Sequence, residues 1–429
     1  MKILRLRTYF YPENVAASAM MEDFENELVK RKITSVNYTP VPSRGITDEV
    51  RKEYKKKKYE EFKGGYVIVH RFSMIKEGTN FVHRALKFLL CNIVEYFKGI
   101  KTKDIDVLYG SSTPPTQGML CGKVAKKLSR KNKKKVPFVY NLQDIFPDSL
   151  VNTGMIKKGS LIWKIGRKVE DYTYRNADII IVISEGFKKN IMEKGVPEKK
   201  IVVIPNWADT DGIYPIDRED NVLFDRYGLD QDKFYIAYSG NVGYTQNMDL
   251  LLDTAKEIEN EFCDVRFVII GEGAAKADIE KRLREESIDN VILLPFQPYE
   301  DIAHVFSLGD VGLIISKSGV GSNSVPSKTW GYMAAEKPIL ASFDSESELA
   351  TLIETVGCGM VAQADSKDEL KNAIRQIVTD SDLSVKGKLG KTYLQTKLNK
   401  EKCVKMYVDT ITSVMENKDE IFVDRNGAQ

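Results

Sequence analysis

Two loops in the second half of the chain carry residue types suited to holding a diphosphate. The first, Ser239-Gly-Asn-Val-Gly-Tyr-Thr-Gln-Asn-Met-Asp, follows the apolar run Tyr235–Ser239 and precedes a helical pattern. Gly240 and Gly243 open backbone conformations closed to other residues and remove side chains where a ligand could approach. A loop that opens onto a helix amino terminus presents free N–H groups to an anion. Alone, this motif fits an ordinary strand–helix turn equally well. The second loop, Ser316–Ala335 (SKSGVGSNSVPSKTWGYMAA), runs from glycine and serine into a helical stretch with Lys328 at its start. Backbone and hydroxyl donors there can hold phosphate oxygens while the ammonium supplies a full charge. Both loops fall at strand ends of one expected sheet, where α/β proteins bind ligands, and that coincidence favours phosphate. A third turn, Gly271-Glu-Gly-Ala, lacks the last glycine of a dinucleotide fingerprint and reads as a structural turn beside the site.

In the first half, YNLQDIFPDSL puts Asp144 and Asp148 at the carboxyl end of a strand. A carboxylate there could take a proton from an acceptor hydroxyl, the role considered for Asp144. Asp148 reads instead as a helix cap. The segment 81–100 combines a broad apolar face with a stripe of Arg84, Lys87, Glu95 and Lys98, and lysine runs at 55–58 and 130–135 flank it in sequence. Such a stretch is either a core helix with one wet face or, beside basic clusters, an interfacial contact with an anionic membrane. The membrane reading is preferred.

The elements that must carry these residues alternate between short apolar runs and helix-length periodic segments, which implies parallel sheets with crossover helices. Two such series in 429 residues predict an α/β protein of two Rossmann-like domains. The expected divisions are 1–205, 206–385, a helical segment at 386–418 and a tail at 419–429. Residues 1–200 hold 40 Lys+Arg against 22 Asp+Glu, whereas 201–429 hold 24 against 39. The basic first half therefore expects an anionic partner. Its lysine runs lack interleaved aromatics, which argues against nucleic acid. The five cysteines stand singly and there are three histidines, so neither a zinc set nor a His-based metal site is expected. No leader peptide or spanning segment is evident, which places the chain in the cytoplasm or on the inner face of the membrane.

In order along the chain, YFYPENVAASAM, SSTPPTQG, YNLQDIFPDSL, ADIIIVISEGFKKNI, IAYSGNVGYTQNMDLLL, FVIIGEGAAKADIE, NVILLPFQPYEDIAHVFSLGDVGLI and SVPSKTWGYMAAEKPIL resemble family 4 of the glycosyltransferases. The likeness is closest to the branch of bacterial L-fucosamine and colanic-acid transferases. It implies the GT-B architecture, two domains facing each other across a cleft, with a carboxyl-terminal helix crossing back to the first. It implies retaining, metal-independent sugar transfer without a cofactor, from a UDP-linked N-acetylated hexose or deoxyhexose to a polyprenyl-diphosphate-linked saccharide, in O-antigen or capsule synthesis. On this resemblance Gly240, Asn241 and Gly243 line the diphosphate, Ser327 and Lys328 contact it, and the backbone at Pro295–Phe296 faces the base. The family's paired glutamates are missing: their positions hold Asn323 and Gly331, while Glu346 and Glu354 have the spacing but lie beyond the motif. A catalytically silent sugar-nucleotide-binding protein and a UDP-sugar 2-epimerase are the alternatives.

Overall fold

Strands rich in Val, Ile and Leu without alternation are those covered on both faces, as in parallel sheets. In the computed structural model they build two α/β units. The described residues are all except 14–17, 78–80, 153–154, 208–209, 211, 320–324 and 417–429. Asn323 and the tail at 419–429 therefore lie outside them. One unit comprises Met1–Trp207 and the helix Lys400–Glu416; the other is Ala208–Asn399.

The first unit contains eight strands: β1 (Lys2–Leu6), β2 (Thr34–Pro40), β3 (Tyr59–Phe62), β4 (Val67–Phe72), β5 (Val107–Ser111), β6 (Phe138–Leu142), β7 (Ile179–Val182) and β8 (Ile201–Val203). They lie in the order β3-β4-β2-β1-β5-β6-β7-β8, with β3 alone antiparallel. The order reverses between β1 and β5, so the loops after these strands flank a crevice at the carboxyl ends. The helix Lys400–Glu416 buries Cys403, Val404, Tyr407, Val408 and Ile411 among Ile3, Val107, Val139 and Ile181. The helical segment expected at 386–418 is thus two helices. The earlier one, Leu383–Lys397, stays with the second unit, where Leu394 and Leu398 join a core with Met333 and Ile339.

The second unit has β9 (Phe234–Ser239), β10 (Val265–Ile270), β11 (Val291–Leu294), β12 (Val311–Ile315), β13 (Ile339–Phe343) and β14 (Gly359–Gln363). All pairings are parallel, in the order β11-β10-β9-β12-β13-β14. This is the doubly wound order, and its switch point lies between β9 and β12. The loops that leave those two strands carry the residues singled out for phosphate.

Helix Phe81–Gly99 overturns the expected arrangement of its faces. Lys87 and Glu95, placed in the sequence on a wet stripe, are fully buried, whereas Leu86, Leu89, Ile93 and Phe97 are exposed. Lys87 reaches Glu77 at 2.7 Å and Ser43 at 3.0 Å, and Glu95 accepts from Gln117 at 3.1 Å. Burial without a countercharge pushes the Glu95 carboxyl up to about 8. Polar groups turn inward here because the helix covers the ends of β1 and the loop after β2, where ionised side chains need partners.

Candidate functional site

The donor-type loops assemble around Lys328. Its helix, Lys328–Ala334, starts beside the loop after β9, so that a Cβ at Gly240 would lie 3.1 Å from the Lys328 Nζ. Gly240 also has φ 136°, which L side chains rarely adopt. The ammonium sits 3.5 Å from the centroid of the Tyr238 ring, and among the described residues no carboxylate lies within ion-pair distance of it. A cation held by an aromatic face, without a countercharge, is attracted by the ring quadrupole but still short of water. Burial accordingly lowers the Lys328 ammonium from 10.5 to about 7. Ser327 precedes it, exposed, with no capping bond from its side chain.

Hydrogen bonds fix the loop from behind. Tyr238 donates its hydroxyl to the Asn241 carbonyl at 2.6 Å, and Asn241 itself is exposed. The amides of Gly240 and Val242 donate to Ile270 and Glu272 carbonyls at 3.0 and 2.9 Å. That of Gly243 donates to the Gln246 side chain at 3.0 Å. The expected cradle of free amides at Gly240 and Gly243 is therefore not what the loop offers. Those donors are engaged within the protein, and what stands against the Gly240 backbone is the Lys328 ammonium. The turn Gly271-Glu-Gly is structural, as expected: a Cβ at Gly271 would fall on the Gly240 carbonyl oxygen, and one at Gly273 on that of Val242. The loop after β12 joins the first one through Lys317, whose amide donates to Thr245 at 2.9 Å. Asp344 anchors it further, accepting from Ser318 and Gly319 at 2.7 and 2.8 Å.

Pro295 and Phe296 stand at the end of β11, two strands from β9, and both are exposed. The Pro295 carbonyl accepts from the Gln297 side chain at 2.7 Å.

Tyr238 and Tyr332 went unnoticed in the sequence, where a tyrosine near a strand end carries no signal. Tyr332 donates to the Ala237 carbonyl at 2.6 Å and accepts the Ser239 amide at 2.9 Å, and so ties the helix of Lys328 to β9. Its neighbour Gly331, aligned with a family glutamate, is buried; a Cβ there would run into the Phe306 ring. Restoring the acid should therefore fail. Gly331→Glu is expected to lower stability by roughly 1–3 kcal/mol or more through overpacking and charge burial. Urea unfolding checks it, and unchanged stability with improved donor affinity would refute the packing argument.

In the first unit, Asp144 lies in the loop after β6, exposed at residue level. The protein around it still removes enough water to raise its carboxyl. Ser149 donates to it at 3.3 Å, and the amides of Gln143 and Asp144 donate to Ser112 at 3.0 and 3.2 Å. The SSTPP segment thus positions this loop. Asp148 occupies the first turn of Asp148–Asn152, and its carboxylate is held by Lys194 at 2.7 Å and Asn190 at 3.3 Å. Its structural role is thus tertiary as well as helical.

Two open doubly wound sheets, one with an unpaired lysine at its switch point, describe the GT-B class of nucleotide-sugar enzymes. Residues 20–211 match the family described as Glycosyltransferase Family 4, and 219–390 match Glycosyl transferases group 1. The chain belongs to glycosyltransferase family 4. It is 29% identical over 258 residues to a Pseudomonas aeruginosa protein named "Probable glycosyltransferase WbjE", covering 60% of this chain and 64% of that one. It is 25% identical over 277 residues to an Escherichia coli (strain K12) protein named for colanic acid biosynthesis, the glycosyl transferase WcaI, covering 64% and 67%. The chain thus spans about two thirds of the length of these relatives. Among solved structures, Anabaena Alr3699/HepE in complex with UDP is similar in fold, with a TM-score of 0.68 at 15% identity over 96% of this chain and 100% of that one.

Proposed function

We propose that this protein transfers a sugar, with retention, from a UDP-linked donor to a polyprenyl-diphosphate-linked saccharide in the synthesis of a bacterial surface polysaccharide. One observation carries the reading: Lys328, largely buried beside Gly240 with no carboxylate to answer it. Such a lysine is poised for an anion, and a sugar diphosphate brings one. As the bond from the anomeric carbon to the phosphate oxygen breaks, negative charge grows on the leaving diphosphate. Lys328 and Ser327 would stabilise it there without a metal ion. Asp144 would take the proton of the acceptor hydroxyl as that oxygen bonds to the anomeric carbon. The named UDP complex of the structural neighbour supports uridine as the base.

An anionic membrane surface is the proposed meeting place. Exposed Leu86, Leu89, Ile93 and Phe97, with the lysines at 55–58, support it. The run at 130–135 supports it less, because Lys134 and Lys135 pair with Asp106 and Asp178 at the amino ends of the strands. Among the described residues no helix is long and apolar enough to cross a membrane.

Turnover is the test. With a UDP-hexosamine and a polyprenyl-diphosphate-linked sugar, UDP release that depends on the acceptor is expected. Gly331, packed under Phe306 at a position where the family resemblance implies a glutamate, favours one other reading, a donor-binding protein without catalysis. UDP binding with no release for any donor pair would select that reading. No nucleotide binding at all would remove both.

A further inference from the structure

At the carboxyl ends of β2 and β4 lies a cavity of about 200 Å³, lined chiefly by Tyr54, Lys55, Lys57, Lys58, Arg71 and Lys98. Arg71 is its floor, only 4% exposed. The Arg71 Nε donates to Glu60 at 2.5 Å and Nη2 to the Tyr11 carbonyl at 2.6 Å, but Nη1 is buried without a hydrogen-bond partner. The guanidinium packs over the Tyr54 ring at 4.7 Å, which fixes its plane. Lys57 pairs with Glu53 at 2.5 Å, whereas among the described residues Lys55, Lys58 and Lys98 have no carboxylate within ion-pair distance. Five cations therefore face the cavity against two nearby acids. The amide of Arg71 donates to the Lys58 carbonyl at 2.9 Å, so the floor and the lysine rim form one built piece.

A buried guanidinium with an unanswered N–H, ringed by unpaired ammoniums, matches the geometry of phosphate oxygens. Lys98 adds a second element. Its helix, Phe81–Gly99, displays the exposed Leu86, Leu89, Ile93 and Phe97, the last being the residue before Lys98. An amphiphile could place its phosphate in the cavity and its hydrocarbon along that face. We propose that this cavity binds the diphosphate of the isoprenoid-linked acceptor, an assignment that rests on the transferase reading above.

Farnesyl diphosphate is a water-soluble probe for it. Calorimetry with UDP at saturation keeps the probe off the Lys328 loops. The exposed pair Lys55→Ala/Lys58→Ala should weaken farnesyl diphosphate binding by about tenfold or more, the loss of two charge-assisted contacts, and leave UDP affinity unchanged. An unchanged affinity for farnesyl diphosphate in this variant overturns the proposal while leaving the donor site intact. So does a variant that loses binding only to vesicles of phosphatidylcholine with minor phosphatidylglycerol, since the cavity would then read bilayer headgroups. Arg71→Lys keeps the charge but removes the forked donors, and should weaken farnesyl diphosphate more than phosphatidylglycerol vesicles.

Discussion

Lys328→Ala should weaken UDP binding by about 10- to 100-fold, the equivalent of one hydrogen-bonded charge worth roughly 1.5–3 kcal/mol. The same change should not harm the fold. Lys328 has no carboxylate to lose, and its ammonium rests on Tyr238 in surroundings that disfavour its charge. Lys328→Met is therefore expected to match or exceed the wild-type resistance to urea while binding UDP weakly. A parallel loss of stability and affinity would instead mark Lys328 as a structural residue. Calorimetry and urea unfolding on the two variants separate these outcomes.

The pH dependence has a defined sign. In the free protein burial brings Lys328 to about 7, against 10.5 in the unfolded chain. Between those values the unfolded state holds more protons, so this group makes folding stability rise with pH from 7 to 10.5. Diphosphate binding acts the opposite way. A nearby anion favours the charged form, so UDP binding at pH 8 should draw a proton from the buffer. Calorimetry in buffers of different ionisation enthalpy reads that uptake directly. It should vanish in Lys328→Met.

Strands of the second unit were legible because both faces of the sheet are covered, which leaves runs such as Val311–Ile315 without polar interruption. In the first unit Thr34–Pro40 gave no such run. Its Ser35, Asn37 and Thr39 are fully buried, with Asn37 donating to Ser35 and to the Ile68 carbonyl. Nearby, Arg5 and Arg7 pair with Glu25. A strand built over a buried ionic network reads in sequence as a loop. A separate buried polar set, Lys87 with Glu77 and Glu95 with Gln117, inverts the helix Phe81–Gly99, whose buried side is the more polar one. At the candidate site, glycines and a lysine announced the loops. What they could not announce was spatial: the Tyr238 ring under Lys328, far from it in sequence, and the Phe306 ring that closes Gly331.

Asp144→Asn is the sharper test of chemistry. General-base catalysis contributes about 10²- to 10⁴-fold, and the turnover number should fall by that amount while UDP affinity stays within about twofold of wild type. The substitution preserves the local frame, since the backbone amide of residue 144 still reaches Ser112 and an amide oxygen can still accept from Ser149. Partial desolvation raises the Asp144 carboxyl, with the Ser149 bond opposing the rise. The acid limb of the rate profile should therefore lie above the pH at which an ordinary aspartate protonates, and activity should be lost as pH falls through it. Asp144→Glu keeps a carboxylate and should recover part of the rate, with its acid limb displaced. A variant series that changes acceptor KM alone, leaving the turnover number and the acid limb where they were, would reduce Asp144 to a residue that only positions the acceptor.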